Sequence, residues 1–242
     1  VQKKESVLGA ISQVSNEQLV NSGTTNITNA ITGKLSGVTT IQASGQPGNN
    51  DADIFVRGVS SWNGSKPLVL VDGVERSFTD LDPNEVATIS VLKDASAAIY
   101  GLRAGNGVVL VTTKRGQENT PARINVNMYY GWQNWTRFPR GTNAYEWMLA
   151  QTEGLVNQGQ NPTLKPEELE KWRVGKEKGY QSFDWYDYIW VTAPQYYVNA
   201  NVSGGSEKIN YYFSVGHTNQ ESAIRNFGGM KRYNVQMNVE SQ

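Results

Sequence analysis

The chain has 242 residues, enough for one or two domains with a real core, and 22 basic side chains balance 22 acidic ones, so no long-range field points to nucleic acid or an anionic membrane surface. It has no cysteine and a single histidine, His217, which excludes disulfide scaffolds and thiolate metal sites and leaves His-based metal sites and His-dependent triads without material. No run approaches the roughly 18 apolar residues of a membrane-crossing helix. That exclusion does not reach a membrane β-barrel, whose strands are apolar on one face only.

In chain order, Ser15 precedes Asn-Glu-Gln with Gln18 at the capping-box position and predicts a helix start. Short strands are expected at 37–42, 53–58, 67–73, 87–93 and 107–113, each bounded by Gly, Pro, Asn or Asp. The mostly apolar runs at 67–71 and 107–111 suggest strands covered on both faces. Between the second and third strands lies Ser60-Ser61-Trp62-Asn63-Gly64-Ser65, a turn-rich loop. Asp82 followed by Pro83 and Glu85 predicts another helix start, and Asp94 a short helix ended by Gly101. Asp51 and Asp53 with Asn49 and Asn50 could suggest a cation site, but Asp/Asn-rich stretches are usually turns.

Asn119-Thr120-Pro121 marks the expected boundary, because the period then changes. Four segments alternate strictly. Ile124, Val126, Met128, Tyr130 and Trp132 share one face of the first; Tyr196, Val198, Ala200 and Val202 one face of the second; Ile209, Tyr211, Phe213 and Val215 of the third; Tyr233, Val235, Met237 and Val239 of the fourth. The opposite faces are rich in Asn, Gln, Ser and Tyr. Strands are expected at about 122–132, 195–203, 208–217 and 231–240. The connection 204–208 is short, and those at 133–194 and 218–231 are longer, as in outer-membrane barrels. The loop 133–194 is too long to lack structure; helical spacing over 142–157, a helix start at Pro166 and an aromatic-dense run at 184–190 are expected within it. Aromatics among carboxylates there could bind a sugar or peptide, through Trp185, Tyr186 and Trp190, but such a cluster is more often a loop's own small core.

Alternation alone also fits a soluble β-sandwich. Charge separates the two. The segments 124–132, 195–203, 209–217 and 233–239 contain no Asp, Glu, Lys or Arg, although about six would be expected at the chain's overall 18%. A soluble strand's wet face carries Lys and Glu; a barrel's lumen face is often neutral and polar, and its outer face must stay apolar for lipid.

The first 118 residues resemble the plug of TonB-dependent outer-membrane transporters of the SusC/RagA-like branch. The resemblance rests, in order, on Leu35-Ser36-Gly37-Val38, Phe55-Val56-Arg57-Gly58, Pro67-Leu68-Val69-Leu70-Val71-Asp72-Gly73-Val74, the run from Ile89 through Leu92-Lys93-Asp94-Ala95-Ser96-Ala97-Ala98-Ile99-Tyr100-Gly101, and Ala104 to Gly116. It continues in Val202-Ser203-Gly204-Gly205, Tyr211-Tyr212 and Lys231-Arg232-Tyr233-Asn234, so it spans essentially the whole chain.

The resemblance implies an α+β plug domain (1–118) followed by antiparallel transmembrane β-barrel strands (119–242), part of a plugged barrel of about 22 strands. It further implies TonB-driven uptake of a glycan or oligopeptide, with a SusD-like surface lipoprotein as lid and outer-membrane lipid around the wall. The segment gripped by TonB is expected upstream of residue 1. Neutral lumen-facing amides are expected to hydrogen-bond the plug without the burial cost of charges. Arg57 would pair with the wall, or else be a surface arginine at a strand end; Trp62 and Asn63 would meet the ligand, or else Trp62 packs on the wall. No catalytic, metal or cofactor site and no nucleic-acid partner is expected. Two other readings stand beside this one: a siderophore or cobalamin transporter, against which the aromatic loop and the plug motifs argue, and a secreted glycan-binding β domain, in which paired carboxylates on strands would be needed for glycosidase chemistry and have no evident home.

Overall fold

The structure is a computed structural model and describes residues 11–58, 66–93, 97–137 and 141–241. The chain divides into two compact units: Val1–Gly131 with Pro194–Ser222 and Gly229–Gln242, and Trp132–Ala193 with Ala223–Gly228.

The first unit opens with β1 (Ile11–Ser15), α1 (Asn16–Val20) and α2 (Ile27–Ala30). The backbone N–H of Ser15 donates to the Gln18 side chain at 3.1 Å, as the capping-box spacing predicts. Asn26 caps α2 by accepting from the N–H groups of Thr28 and Asn29. A two-stranded antiparallel sheet follows, β2 (Val38–Gln42) with β3 (Ala52–Val56). Next come β4 (Leu68–Val71), β5 (Val74–Glu75), β6 (Val86–Leu92) and β7 (Val108–Thr113). With β1 they form a five-stranded sheet in the order β1-β6-β7-β4-β5, in which β4 and β7 run parallel. One face of that sheet buries Ile89, Val91, Val109 and Val111 with Leu19, Ile27 and Ile31. A second cluster gathers Leu70, Leu92, Ala97, Ala104 and Val108. Val108, Val109 and Val111 are thus all buried, as their unbroken apolar run anticipates. Gly107, at φ +89°, leads into β7 where a Cβ would stand 3.0 Å from Val56, so only glycine fits.

Two sequence expectations change here. Asp82–Pro83 starts no helix. Asn84 N–H turns back onto Asp82 Oδ1 at 2.8 Å and Glu85 N–H onto Asp82 O at 2.9 Å, which closes one turn. The β-branched run from Val86 then enters the sheet between β1 and β7 and ends any helix. Asp94 lies outside the described residues; beyond it Ala98–Tyr100 and Leu102–Ala104 are single 3-10 turns flanking Gly101 at φ +75°.

The rest of the unit is a four-stranded antiparallel sheet of β8 (Thr120–Gln133), β9 (Ala193–Gly205), β10 (Ile209–Glu221) and β11 (Gly229–Ser241), ordered β11-β10-β9-β8. All four expected strands are present, and all run longer. β10 and β11 keep pairing through Thr218–Arg232, Asn219–Lys231, Gln220–Met230 and Glu221–Gly229, so the connection expected at 218–231 shrinks to 222–228. The apolar alternation stops before the backbone ladder does, which hides those ends in the sequence.

The second unit carries α3 (Ala144–Asn157), α4 (Pro166–Val174) and α5 (Trp185–Ile189). Asn143 and Glu146 form a capping box on α3, Pro166 opens α4 and Gly175 in the left-handed conformation closes it. Asp184 caps α5.

Candidate functional site at a polar seam

The four-stranded sheet is inverted relative to a soluble one. Met128, Val235 and Tyr233 are about 70% exposed or more, and Ile124, Val126, Met237, Val198, Phe213 and Val215 share that open face. The opposite face is polar and closed: Asn199 and Ser214 are fully buried, with Tyr197, Asn201, Tyr212 and Thr218. A sheet that turns its aliphatic side outward and packs amides inward against a folded domain matches a lipid-facing wall around a polar filling.

The filling is the N-terminal domain, and the seam centres on the turn 82–85. Asp82 and Glu85 are 1% and 2% exposed. The Tyr197 hydroxyl donates to the Asp82 carboxylate (2.6 and 2.7 Å) and itself accepts from Asn84 Nδ2 at 2.6 Å. Asn199 Nδ2 donates to Asp82 Oδ2 at 3.2 Å and to Ser214 Oγ at 3.0 Å, and Ser214 Oγ reaches Glu85 Oε1 at 3.1 Å. The amides continue sideways: Asn201 donates to Asn199, Asn125 to Asn201, and Asn127 to Asn84, each at 3.2 Å. Gly216 leaves room for the carboxylate, since a Cβ there would stand 2.9 Å from Asp82 Oδ2. Burial first, then the neighbouring Asp82 charge, raises the Glu85 carboxyl to about 7. Burial lowers Lys114, whose backbone N–H donates to Glu85 O at 2.8 Å.

β11 adds a second row. Arg232 Nη2 donates to Thr25 O at 2.8 Å, Asn234 Nδ2 to Asp80 O at 2.7 Å, and Asn238 Nδ2 to Thr113 Oγ1 and Lys114 O at 3.0 and 2.7 Å. Arg115 pairs with Glu240 of β11 and lies 3.8 Å from Asp72, which accepts from Thr113 N and Oγ1.

The second unit holds a cavity of about 750 Å³ among Trp135, Glu146, Phe183, Trp185, Tyr186 and Trp190. Trp135 meets Trp190 edge-on at 4.4 Å, and Phe183 meets Trp185 at 4.8 Å. These aromatics touch, yet no residue of α3, α4 or α5 is buried and Trp185 is 63% exposed. A small closed core, the favoured expectation for this loop, is not what they form.

Residues 3–108 match the family model of the TonB-dependent Receptor Plug Domain. TonB-dependent receptor P26 of Formosa agariphila is 31% identical over 99% of this chain and 24% of its own length. TonB-dependent receptor SusC of Bacteroides thetaiotaomicron is 28% identical over 98% of this chain and 23% of its own. The structure of the RagAB peptide transporter superposes with a TM-score of 0.82 at 28% identity, over 98% of this chain and 29% of that one. The chain belongs to the SusC/RagA-like TonB-dependent receptors. It spans about a quarter of the length of the curated relatives it matches. Its five- and two-stranded sheets belong to the plug, and its four-stranded sheet to the barrel wall.

The sequence-derived site residues of this receptor fall in three places. Trp185, Tyr186 and Trp190 come together around the second unit's cavity. Trp62 and Asn63 lie outside the described residues. Arg57 is exposed on the plug at φ +61°, where its N–H donates to Gly37 O at 2.8 Å. The buried carboxylates of the seam, Asp82 and Glu85, carry no site signature in the sequence. Their spacing signals a turn or helix start, and only the fold brings Tyr197 and Ser214 to them. The Asp51 region is a turn clasp, with Asn26 bonded to Asp51 and Asn29 Nδ2 donating to Asn50 O at 2.8 Å, and no metal-binding cluster occurs among the described residues.

Proposed function

We propose that this chain is the gate and wall origin of an active importer of glycans or oligopeptides across the bacterial outer membrane. The observation that carries the reading is the inverted sheet, apolar towards lipid and amide-lined towards a plug that it grips by side-chain hydrogen bonds rather than by an apolar core. A gate needs a boundary of that kind. Polar contacts can be exchanged for water when the plug moves, whereas a continuous apolar core resists hydration.

In this reading residues 1–118 are the plug and 119–242 the wall with its loop. TonB pulls the plug from the periplasmic side, a SusD-like lipoprotein covers the outer mouth, and the chemistry is transport rather than catalysis. Trp185, Tyr186 and Trp190 contact the cargo, and a ligand role is proposed independently for Trp62 and Asn63, which lie outside the described residues. Aromatic rings suit the faces of sugars and the side chains of peptides alike. The similarity to SusC and to the RagAB peptide transporter favours glycan or peptide over siderophore or cobalamin.

The test uses the full-length receptor as the only importer of its class in its host. Growth on purified glycans or peptides is expected to need the receptor, and growth on iron complexes is not. A receptor that stays soluble without detergent, or that supports growth only on iron complexes, would overturn the reading.

A further inference from the structure

The two carboxylates of the seam are unequally served. Asp82 accepts from the Asn84 N–H, the Tyr197 hydroxyl and the Asn199 amide, a set of donors fitted to an ionised group. Glu85, three residues on and equally buried, is served less fully: among the described residues its carboxyl accepts from the Ser214 hydroxyl, shared with Asn199, and from the backbone N–H of Asp82. The charged and titratable groups around the Asp82–Glu85 pair come from every packed element: Lys114 after β7 and Tyr129 from β8 on the Asp82 side, and Tyr197 from β9, Tyr212 from β10 and Arg232 from β11 towards Glu85. Arg232 spends Nη2 on Thr25 O and lowers the Glu85 carboxyl only as the least of the effects upon it, and Lys114 meets Glu85 through its backbone N–H, so among the described residues neither cation forms an ion pair with the Glu85 carboxyl. Two adjacent buried anions with no cation paired to the less well served of them are not a stable arrangement.

We propose that the seam is proton-loaded: the plug sits in the wall with Glu85 as a neutral carboxylic acid beside ionised Asp82, and withdrawal of the plug into water releases that proton. The step balances without a co-reactant, since the carboxylic acid O–H ionises to carboxylate and a solvated proton. The proposal rests on the seam being the plug's seat. The raised Glu85 carboxyl agrees with it.

The sign follows from that shift. A carboxyl raised on seating contributes its full stabilisation below the free value of about 4.5, loses it as pH climbs to about 7, and contributes no further change above. Seating therefore weakens roughly tenfold per pH unit across that window, on the order of 100-fold in all.

The experiment is hydrogen exchange on the full-length receptor in bilayers from pH 4.5 to 8, corrected for intrinsic rates, at the amides of residues 84–86 and 114. In the wild type, opening is expected to rise with pH and level off near 7. Glu85→Gln, which keeps a side chain able to meet Ser214, is expected to be protected at every pH with no slope, while Asp82→Asn keeps a slope. A flat wild-type profile, an unchanged slope in Glu85→Gln, or a slope abolished only by Asp82→Asn would overturn the proposal. Amides unprotected at every pH would instead remove the seat itself, and with it the gating reading above.

Discussion

The Tyr197 hydroxyl is the shortest wall-to-plug contact at Asp82, and its removal measures how firmly the seam is held. Tyr197→Phe keeps the ring, and with it the stack on Tyr129 at 5.3 Å, so the substitution deletes one oxygen and little packing. That oxygen donates to Asp82 at 2.6 and 2.7 Å and accepts from Asn84 at 2.6 Å. A hydrogen bond to a charged group contributes about 1.5–3 kcal/mol, and a buried carboxylate stripped of a donor also keeps its desolvation cost. The expected loss is about 2–3 kcal/mol, a rise of roughly 30- to 150-fold in the opening equilibrium of the plug. The assay is hydrogen exchange at the amides of 84–86 in the full-length receptor. Asp82→Asn supplies the other half of a double-mutant cycle. Because both changes disrupt the same contact, their combined effect should fall short of the sum by about 1–2 kcal/mol. A loss below about 0.5 kcal/mol, or strict additivity, would refute the claim that this contact retains the plug.

Val235→Lys, on the open face of β11, should cost about 2–4 kcal/mol of stability in a bilayer if that face meets lipid, as read by urea titration of the folded receptor; Ser241→Lys at the strand's end should cost little. Arg57→Ala should loosen the plug without lowering expression, measured by exchange at β3 and β6; unchanged exchange together with unchanged uptake would leave Arg57 as a surface residue.

Much of the wall is legible in the sequence because lipid and plug impose opposite demands on alternate residues, and a period of two exposes both. The faces assigned from alternation are the faces found, from Ile124 to Val239. The strand ends are not legible. Thr218, Asn219 and Gln220 pair across to Arg232, Lys231 and Met230 beyond the apolar band, and hydrogen-bonded backbone leaves no hydropathy signature. The short β1 escapes sequence reasoning because its pattern is two-sided and polar, and its pairing partner β6 lies far along the chain. Asp82 misleads for a different reason. An Asp-Pro pair opens both helices and turns, and the residues downstream make the choice; here Val86–Leu92 goes into a sheet, which leaves Asp82 in a turn. Its place in the seam is illegible in principle, because the groups that define it, Tyr197 and Asn199, sit 115 and 117 residues away.

The charge-free wall segments and the buried acidic turn are two sides of one division of labour. At the centre of the seam the wall supplies neutral donors (Tyr197, Asn199, Ser214) and the plug supplies the carboxylates (Asp82, Glu85). A wall carrying the charges would keep fixed anions in its lumen after the plug had moved, and each would need counter-ions or hydration at the point of passage. A plug carrying them takes its charge along into water, where ionised carboxylates are well solvated, and leaves behind amides and hydroxyls that water can satisfy. If the plug gates the wall as proposed, the absence of Asp and Glu from 195–203 and 209–217 serves the gate as well as the membrane, and moving a charge across the seam tests it: Ser214→Asp, facing Glu85, should unseat the plug more than Ser214→Ala does.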